Sequence, residues 1–244
     1  MDSGYYAAMT GLLARDQALD TAAANLANAQ TPGYRAERDF FRSVLLGPDA
    51  VDSQLGRTVN NFGLLGGDAL NLSQGSLQQT GNPLDLAIQG EGFFAIQTAN
   101  GTRYTRDGSF HRSPRGLVVT GADEPVLSST GQQIVVPPGE ISVAGNGVLS
   151  VAGGVVTTLG IFKFGPAIAL TPEGTNRYRA PDGEKPGQSG ATVHQGALEA
   201  SNQDLVQGTL ELLMVQRQAE MMQKALTVFH NDFNKFATED LPRV

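Results

Sequence analysis

The strongest constraint on the fold is where proline and glycine are absent. Residues 1–28 contain no proline and only Gly4 and Gly11, and residues 201–241 contain no proline and only Gly208. Eleven of the twelve prolines fall between these ends. Proline breaks helices and glycine weakens them, so the chain reads as two helical ends around a turn-rich middle.

Both ends carry the apolar spacing of a packed helix. Met1, Tyr5, Ala8, Leu12, Arg15, Leu19, Ala22 and Leu26 follow a four–three repeat, and seven of these eight positions are apolar. Thr31-Pro32-Gly33 stops the run, because the residue before proline avoids helical geometry and glycine accepts left-handed geometry. The C-terminal run is longer: Leu205, Gly208, Leu212, Val215, Ala219, Met222, Leu226, Phe229, Phe233 and Phe236. At 1.5 Å per residue it predicts about 50 Å of helix. Val206, Leu210, Leu213, Met214, Met221 and Val228 widen its apolar surface beyond a narrow seam. Such a helix needs neighbours on more than one side. A long helix lying on its own domain's core would show the same periodicity.

The middle alternates with period two. Leu84, Leu86 and Ile88 interleave with Asp85 and Ala87; Gln89-Gly90-Glu91-Gly92 then turns into Phe93-Phe94-Ala95-Ile96. Asn100-Gly101 and Asn146-Gly147 are hairpin signals, and Asp107-Gly108 marks another turn. Further strands are expected at 117–119, 141–143, 148–151 and 155–164. The fold class is α+β: terminal helices forming a coiled-coil-like helical domain, and an antiparallel all-β domain from the middle of the chain. The expected boundaries are helix 1–35, an extended or irregular segment 36–75, β domain 76–180, a Gly/Pro-rich linker 181–196, and helix 197–244.

Composition excludes several functions. The chain of 244 residues carries a formal net charge of −7, against the basic footprint of a nucleic-acid binder. It has no cysteine, which removes disulfides, thiol catalysis and cysteine-based zinc sites. No apolar run is long enough to span a membrane, and no basic, then apolar, leader opens the chain. His111, His194 and His230 share no metal-ligand spacing, and no nucleophile elbow or phosphate-binding loop is present. Asp85, Glu91 and Asp107 fall in one hairpin region, where a glycan hydrolase would need two facing carboxylates. The alternative places Asp85 on the outer face of a strand and the other two in turns. No catalytic, cofactor-binding or metal-binding residue is assigned.

Five segments carry a resemblance. They are Asn25-Leu26-Ala27-Asn28-Ala29-Gln30-Thr31-Pro32-Gly33-Tyr34-Arg35, Gly75 to Phe94, Tyr104 to Phe110 (YTRDGSF), Gly174 to Tyr178 (GTNRY), and Gly196-Ala197-Leu198-Glu199-Ala200-Ser201-Asn202. In order and wording they resemble the rod and hook family of flagellar axial proteins. Met1-Asp2, Tyr6, Ala8-Met9, the TPGYRA wording and residues 133–150 are closer to the family's proximal-rod type than to its distal-rod type.

The resemblance implies a structural subunit of the flagellar basal-body rod, exported through the flagellar type III apparatus without signal cleavage. It would assemble with other rod subunits, including the distal rod protein, in the periplasm, with no cofactor, no nucleic acid and no membrane insertion. It implies that Tyr5, Leu12, Leu19, Leu26, Leu205, Leu212, Val215, Met222, Leu226, Phe229 and Phe233 form the assembly interface. It also marks Asn25, Leu26, Ala27, Asn28, Thr31, Gly33, Tyr34, Leu198, Glu199, Ser201 and Asn202 as family-motif positions. A distal-rod or hook-type axial protein, and a periplasmic glycan-binding or glycan-hydrolysing module, are the competing readings.

Overall fold

The computed structural model describes residues 2–42, 64–165, 168–174, 176–184 and 186–235. The chain divides into two compact units. The first holds residues 1–27, 37–69 and 205–244; the second holds residues 28–36 and 70–204.

In the first unit, α1 (Asp2–Ala27) packs along α2 (Leu205–Lys235). The two helical ends thus meet, as their shared spacing requires. On α1 the buried line is Gly11, Ala14, Ala18, Ala22 and Asn25, while Leu12, Leu19 and Leu26 flank it half-buried. The line of deepest contact is a row of small residues, which lets the two backbones approach closely. Leucine-weighted periodicity places the seam beside that row. On α2 the buried and half-buried positions are Gly208, Leu212, Val215, Ala219, Met222 and Leu226, the stripe read from the sequence. Leu205, the first member of that stripe, is exposed. β1 (Glu37–Arg42) and β2 (Leu64–Leu70) form a two-stranded sheet, so part of the segment read as irregular is regular. Residues 43–63 of that segment lie outside the described residues.

The second unit is antiparallel β. Its strands are β3 (Leu77–Gln79), β4 (Leu86–Gln89), β5 (Phe93–Thr98), β6 (Gly101–Thr105), β7 (His111–Arg112), β8 (Val118–Val119), β9 (Ile141–Val143), β10 (Val148–Val151), β11 (Gly154–Thr158), β12 (Ile161–Lys163), β13 (Thr171–Pro172), β14 (Arg177–Arg179), β15 (Gly187–Gln188), β16 (Thr192–Gln195) and β17 (Ala197–Glu199). A six-stranded sheet runs in the order β13-β14-β6-β5-β12-β15, beside a three-stranded sheet β11-β10-β9. Asn100-Gly101 closes the β5–β6 hairpin, with Thr98 opposite Gly101. Asn146-Gly147 lies between β9 and β10, with Leu149 opposite Val143.

Two sequence expectations differ. Gly90-Glu91-Gly92 turns the chain, yet β4 and β5 do not pair with each other. β4 pairs with β16, and β5 pairs with β6 and β12. Gly90 and Gly92 hold φ of 108° and 146°, conformations that swing the chain from one sheet to another. Residues 181–196, read as a linker, contain β15 and β16. Their Gly/Pro content serves turns between short strands, and local composition does not distinguish that use from a flexible spacer.

The main core joins Leu86, Ile88, Phe94, Ile96, Phe110, Val118, Val126, Leu149 and Val193, among others. A smaller cluster of Phe93, Tyr104, Leu127 and Tyr178 fills the other side of β5. Val193 is supplied by β16, and Tyr34, Arg35 and Ala36 are buried in the same unit.

These contributions set what can fold alone. A fragment of residues 72–190 lacks β16 and β17, so β4 loses the pairing with β16. It is expected to show no cooperative denaturant transition, whereas residues 28–204 should unfold in a single one. Parallel urea titrations followed by circular dichroism check both.

Candidate functional site

The family-motif segments converge in the second unit on one side chain, Glu199, which has no exposed surface. Its Oε1 accepts from Arg35 Nη2 at 2.7 Å and from the Gly75 N–H at 2.9 Å. Its Oε2 accepts from Arg106 Nη1 at 3.1 Å. Its backbone carbonyl accepts the Gly33 N–H at 2.7 Å. Four of the five segments therefore bond to this residue or contain it. The fifth, GTNRY, enters through Tyr178, whose hydroxyl accepts the Arg35 N–H at 3.0 Å. Asn176 of the same segment donates to Asp107 Oδ2 at 2.8 Å and accepts from Thr105 Oγ1 at 2.7 Å.

Geometry explains the residue types. Gly33 sits at φ 68°, and a Cβ there would lie 2.2 Å from the Asp107 nitrogen. At Gly75 a Cβ would lie 2.0 Å from the Ala200 carbonyl oxygen. Asn202 clamps the exit: its Oδ1 accepts the Ala36 N–H at 2.8 Å, while its Nδ2 donates to the carbonyls of Asn71 and Ser73. Ser201 Oγ accepts the Gln203 N–H just before α2. Leu198 pairs with Gln78 across β17–β3. After α1, the Asn28 carbonyl accepts the Thr31 N–H, and its side chain accepts from the Thr31 hydroxyl. In the first unit Asn25 bonds both the N–H and the carbonyl of Glu37, and Ala27 closes α1 with its side chain exposed. The motif positions thus tie chain to chain.

The electrostatics are unusual for a core. Two guanidinium groups, Arg35 and Arg106, share one carboxylate, leaving one excess positive charge. Burial lowers the Arg106 pKa to about 10, with the Glu199 carboxylate opposing that shift. Arg106 also donates to the carbonyls of Ile88 and Gly90 and lies 5.4 Å from the Phe93 ring centroid. Sequence reading marked Glu199 as a motif position but not its partners Arg35 and Arg106. Both arginines stand inside quoted motifs, yet only folding brings residues 35, 106 and 199 together.

Of the three carboxylates considered for catalysis, Asp85 and Asp107 are tied into the fold and Glu91 is exposed. Asp85 is buried rather than on an outer face, and its Oδ1 accepts from Asn82 Nδ2. Asp107 Oδ1 accepts from the Ser109 N–H and hydroxyl. The Glu91 backbone carbonyl accepts from the Ser189 hydroxyl, and its side chain is exposed. His111 lies 3.7 Å from Asp123, and His194 contacts Gln89 at 2.6 Å. Among the described residues no group of acidic and histidine side chains could hold a metal ion. A cleft of about 290 Å³ beside Arg103 and Arg179 is lined by cations that already face Glu173 and Asp182.

In the first unit, Leu212, Val215, Met222 and Leu226 are half-buried in the α1–α2 seam, as are Leu12, Leu19 and Leu26. The side chains of Tyr5, Phe229 and Phe233 lie outside the described residues. The opposite face of α2 carries Val206, Leu210, Leu213, Met214, Met221 and Val228, all exposed.

Removing the shared carboxylate should be severe, because two buried guanidinium groups then lose the one side chain that bonds both of them. Glu199→Gln preserves volume and is expected to destabilise the second unit by about 3–5 kcal/mol. Glu220→Gln, on the exposed surface of α2, should stay within about 0.5 kcal/mol of the parent. Denaturant unfolding of both variants measures the difference.

Known proteins resemble this chain along most of its length. Residues 6–35 match the family described as "Flagella basal body rod protein", and residues 87–151 match "Flagellar hook protein FlgE/F/G D1 domain". The chain is 34% identical to the flagellar basal-body rod protein FlgF of Caulobacter vibrioides over 93% of each chain. It is 32% identical to FlgF of Escherichia coli over 93% of this chain and 94% of that one. With the flagellar basal-body rod protein FlgG of Bacillus subtilis the identity is 31%, over 91% and 93%. With paired terminal helices, a motif-bound β unit and this end-to-end similarity, the chain belongs to the flagellar basal-body rod proteins, as a structural, non-enzymatic rod subunit of the FlgF type.

Proposed function

We propose that this rod subunit sits in the proximal rod and polymerises through its terminal helices, which pass torque from one subunit to the next. The observation that carries this reading is the apolar face of α2 turned away from its own partner helix. Val206 is 68% exposed, Met214 61% and Met221 62%. A contiguous apolar surface of this kind marks a site of association. No described helix is long and apolar enough to cross a membrane.

The interface read from the sequence is mostly spent within the subunit, and the wider apolar surface of α2 is the part left for neighbours. Leu12, Leu19, Leu26, Leu212, Val215, Met222 and Leu226 hold α1 to α2 within a subunit. Val206, Leu210, Leu213, Met214, Met221 and Val228 meet neighbours. Tyr5, Phe229 and Phe233 stay in the proposed assembly interface, and Leu205 adds to the exposed start of the α2 face. The neighbours are other rod subunits, with the distal rod protein FlgG above, and the route is the flagellar type III export apparatus without signal cleavage. An apolar face left open until assembly is compatible with export as a single chain, because the subunit becomes complete only beside its neighbours.

Leu213→Asp combined with Met221→Asp places two carboxylates in that contact, where desolvation costs several kcal/mol. The purified variant should unfold at the parent temperature, because both positions are exposed. Cells carrying it should export the subunit, build no rod and fail to swim. Normal swimming halos would show that this face makes no assembly contact.

A further inference from the structure

The two helices of the first unit carry opposite charges on the faces they turn outward. On α1, opposite the Gly11–Ala14–Ala18–Ala22 line, lie Met9, Leu13, Asp16, Asp20 and Ala27, all exposed. On α2, opposite its seam, Arg217 and Lys224 are exposed among Leu210, Leu213, Met214 and Met221. The outward face of α1 is thus apolar with two acids, and that of α2 is apolar with two bases. Glu220 stands at the edge of the α2 face, where Gln216 Nε2 donates to it at 3.4 Å. Among the described residues, none of Asp16, Asp20, Arg217 and Lys224 belongs to an ion pair.

We infer that the outward face of α2 in one subunit docks on the outward face of α1 in a second copy, with Arg217 and Lys224 facing Asp16 and Asp20. This inference rests on the rod reading above and adds the partner surface and its charge register. Charge complementarity selects the arrangement. Pairing α2 with α2 would set bases against bases, and pairing α1 with α1 would set acids against acids. Only α1 against α2 is attractive. The spacings are compatible: Asp16 and Asp20 are one turn, about 6 Å, apart, and Arg217 and Lys224 are two turns, about 10 Å, apart. The long stems of Arg and Lys span the difference while covering the apolar residues between.

The same geometry makes the contact open-ended. Each outward face points away from its own seam, so a subunit cannot satisfy one with the other. Every added copy consumes one α1 face and presents a fresh α2 face, which is the condition for a filament rather than a closed dimer. The charges fix which faces meet, and the apolar residues supply the adhesion.

Charge reversal tests the inference in swimming cells. Asp16→Lys with Asp20→Lys, and separately Arg217→Glu with Lys224→Glu, should each abolish swimming. All four changes in one chain should restore it, because every copy then carries the inverted pair. If either reversal alone swims normally, the inference is overturned. If both fail and the four-fold variant also fails, the partner is a different rod subunit and the second-copy inference is overturned.

The Leu213→Asp/Met221→Asp variant, run alongside, separates this from the underlying reading. Loss of swimming there with normal swimming in both charge reversals defeats the charge register alone. Normal swimming there defeats the helical-assembly reading itself. The absence of native cysteine permits a second measurement. Asp20→Cys in one copy and Arg217→Cys in a co-expressed copy should give a cross-linked dimer in isolated basal bodies. A dimer formed by Arg217→Cys alone, with none from the mixed pair, would overturn the proposed pairing of faces.

Discussion

A single buried carboxylate organises the second unit. Glu199 comes from the strand that precedes α2, yet its hydrogen-bonding partners are the residues that follow α1, the turn before β3 and the end of β6. None of these segments could bury its polar groups alone. Arg35 and Arg106 are acceptable in a dry interior only because one carboxylate answers both, and the carboxylate is acceptable only because two guanidinium groups and a backbone N–H surround it. Each member is a liability without the others, so the cluster forms complete or the unit does not close.

The consequence for the chain is topological. Residues 28–36 and 197–204 come from opposite sides of the sequence and leave the β unit side by side, clamped by the Asn202 amide on the Ala36 N–H. The two helices that begin and end the chain pair with each other in the first unit. Their pairing in the first unit uses a row of glycine and alanine on α1 against mixed small and large residues on α2. Close approach at small residues leaves the larger apolar side chains of α2 for the other side. One surface of α2 holds it to α1, and the other carries exposed apolar side chains.

Much of this was legible in the residues. The proline-free ends, the three–four spacing and the Asn-Gly turns place both helices and two hairpins correctly. The α2 stripe agrees position by position from Gly208 to Leu226. The α1 seam was misplaced by about one residue, because reading by hydrophobic size favours Leu12 and Leu19 over Ala14 and Ala18. Residues 181–196 looked like a linker because glycine and proline serve short-strand turns as readily as flexible spacers. The outer-face placement of Asp85 failed because a hydrogen bond from Asn82 and an antiparallel bridge to Ser109 override strand alternation.

The sequence alone determined the class of the molecule. Periodicity follows from local backbone geometry, so it announces helices and strands, and the ordered motifs announce the rod family. The tertiary structure decided what those motifs do and which apolar side chains are left over. Residues 35, 106 and 199 are far apart along the chain, and no local pattern states that they share a charge. Likewise, a broad apolar helix does not say which of its faces is spent within the subunit. Only the packed helix pair separates the seam of Leu212 and Leu226 from the open face of Leu213 and Met221, because burial is a property of what else occupies the space.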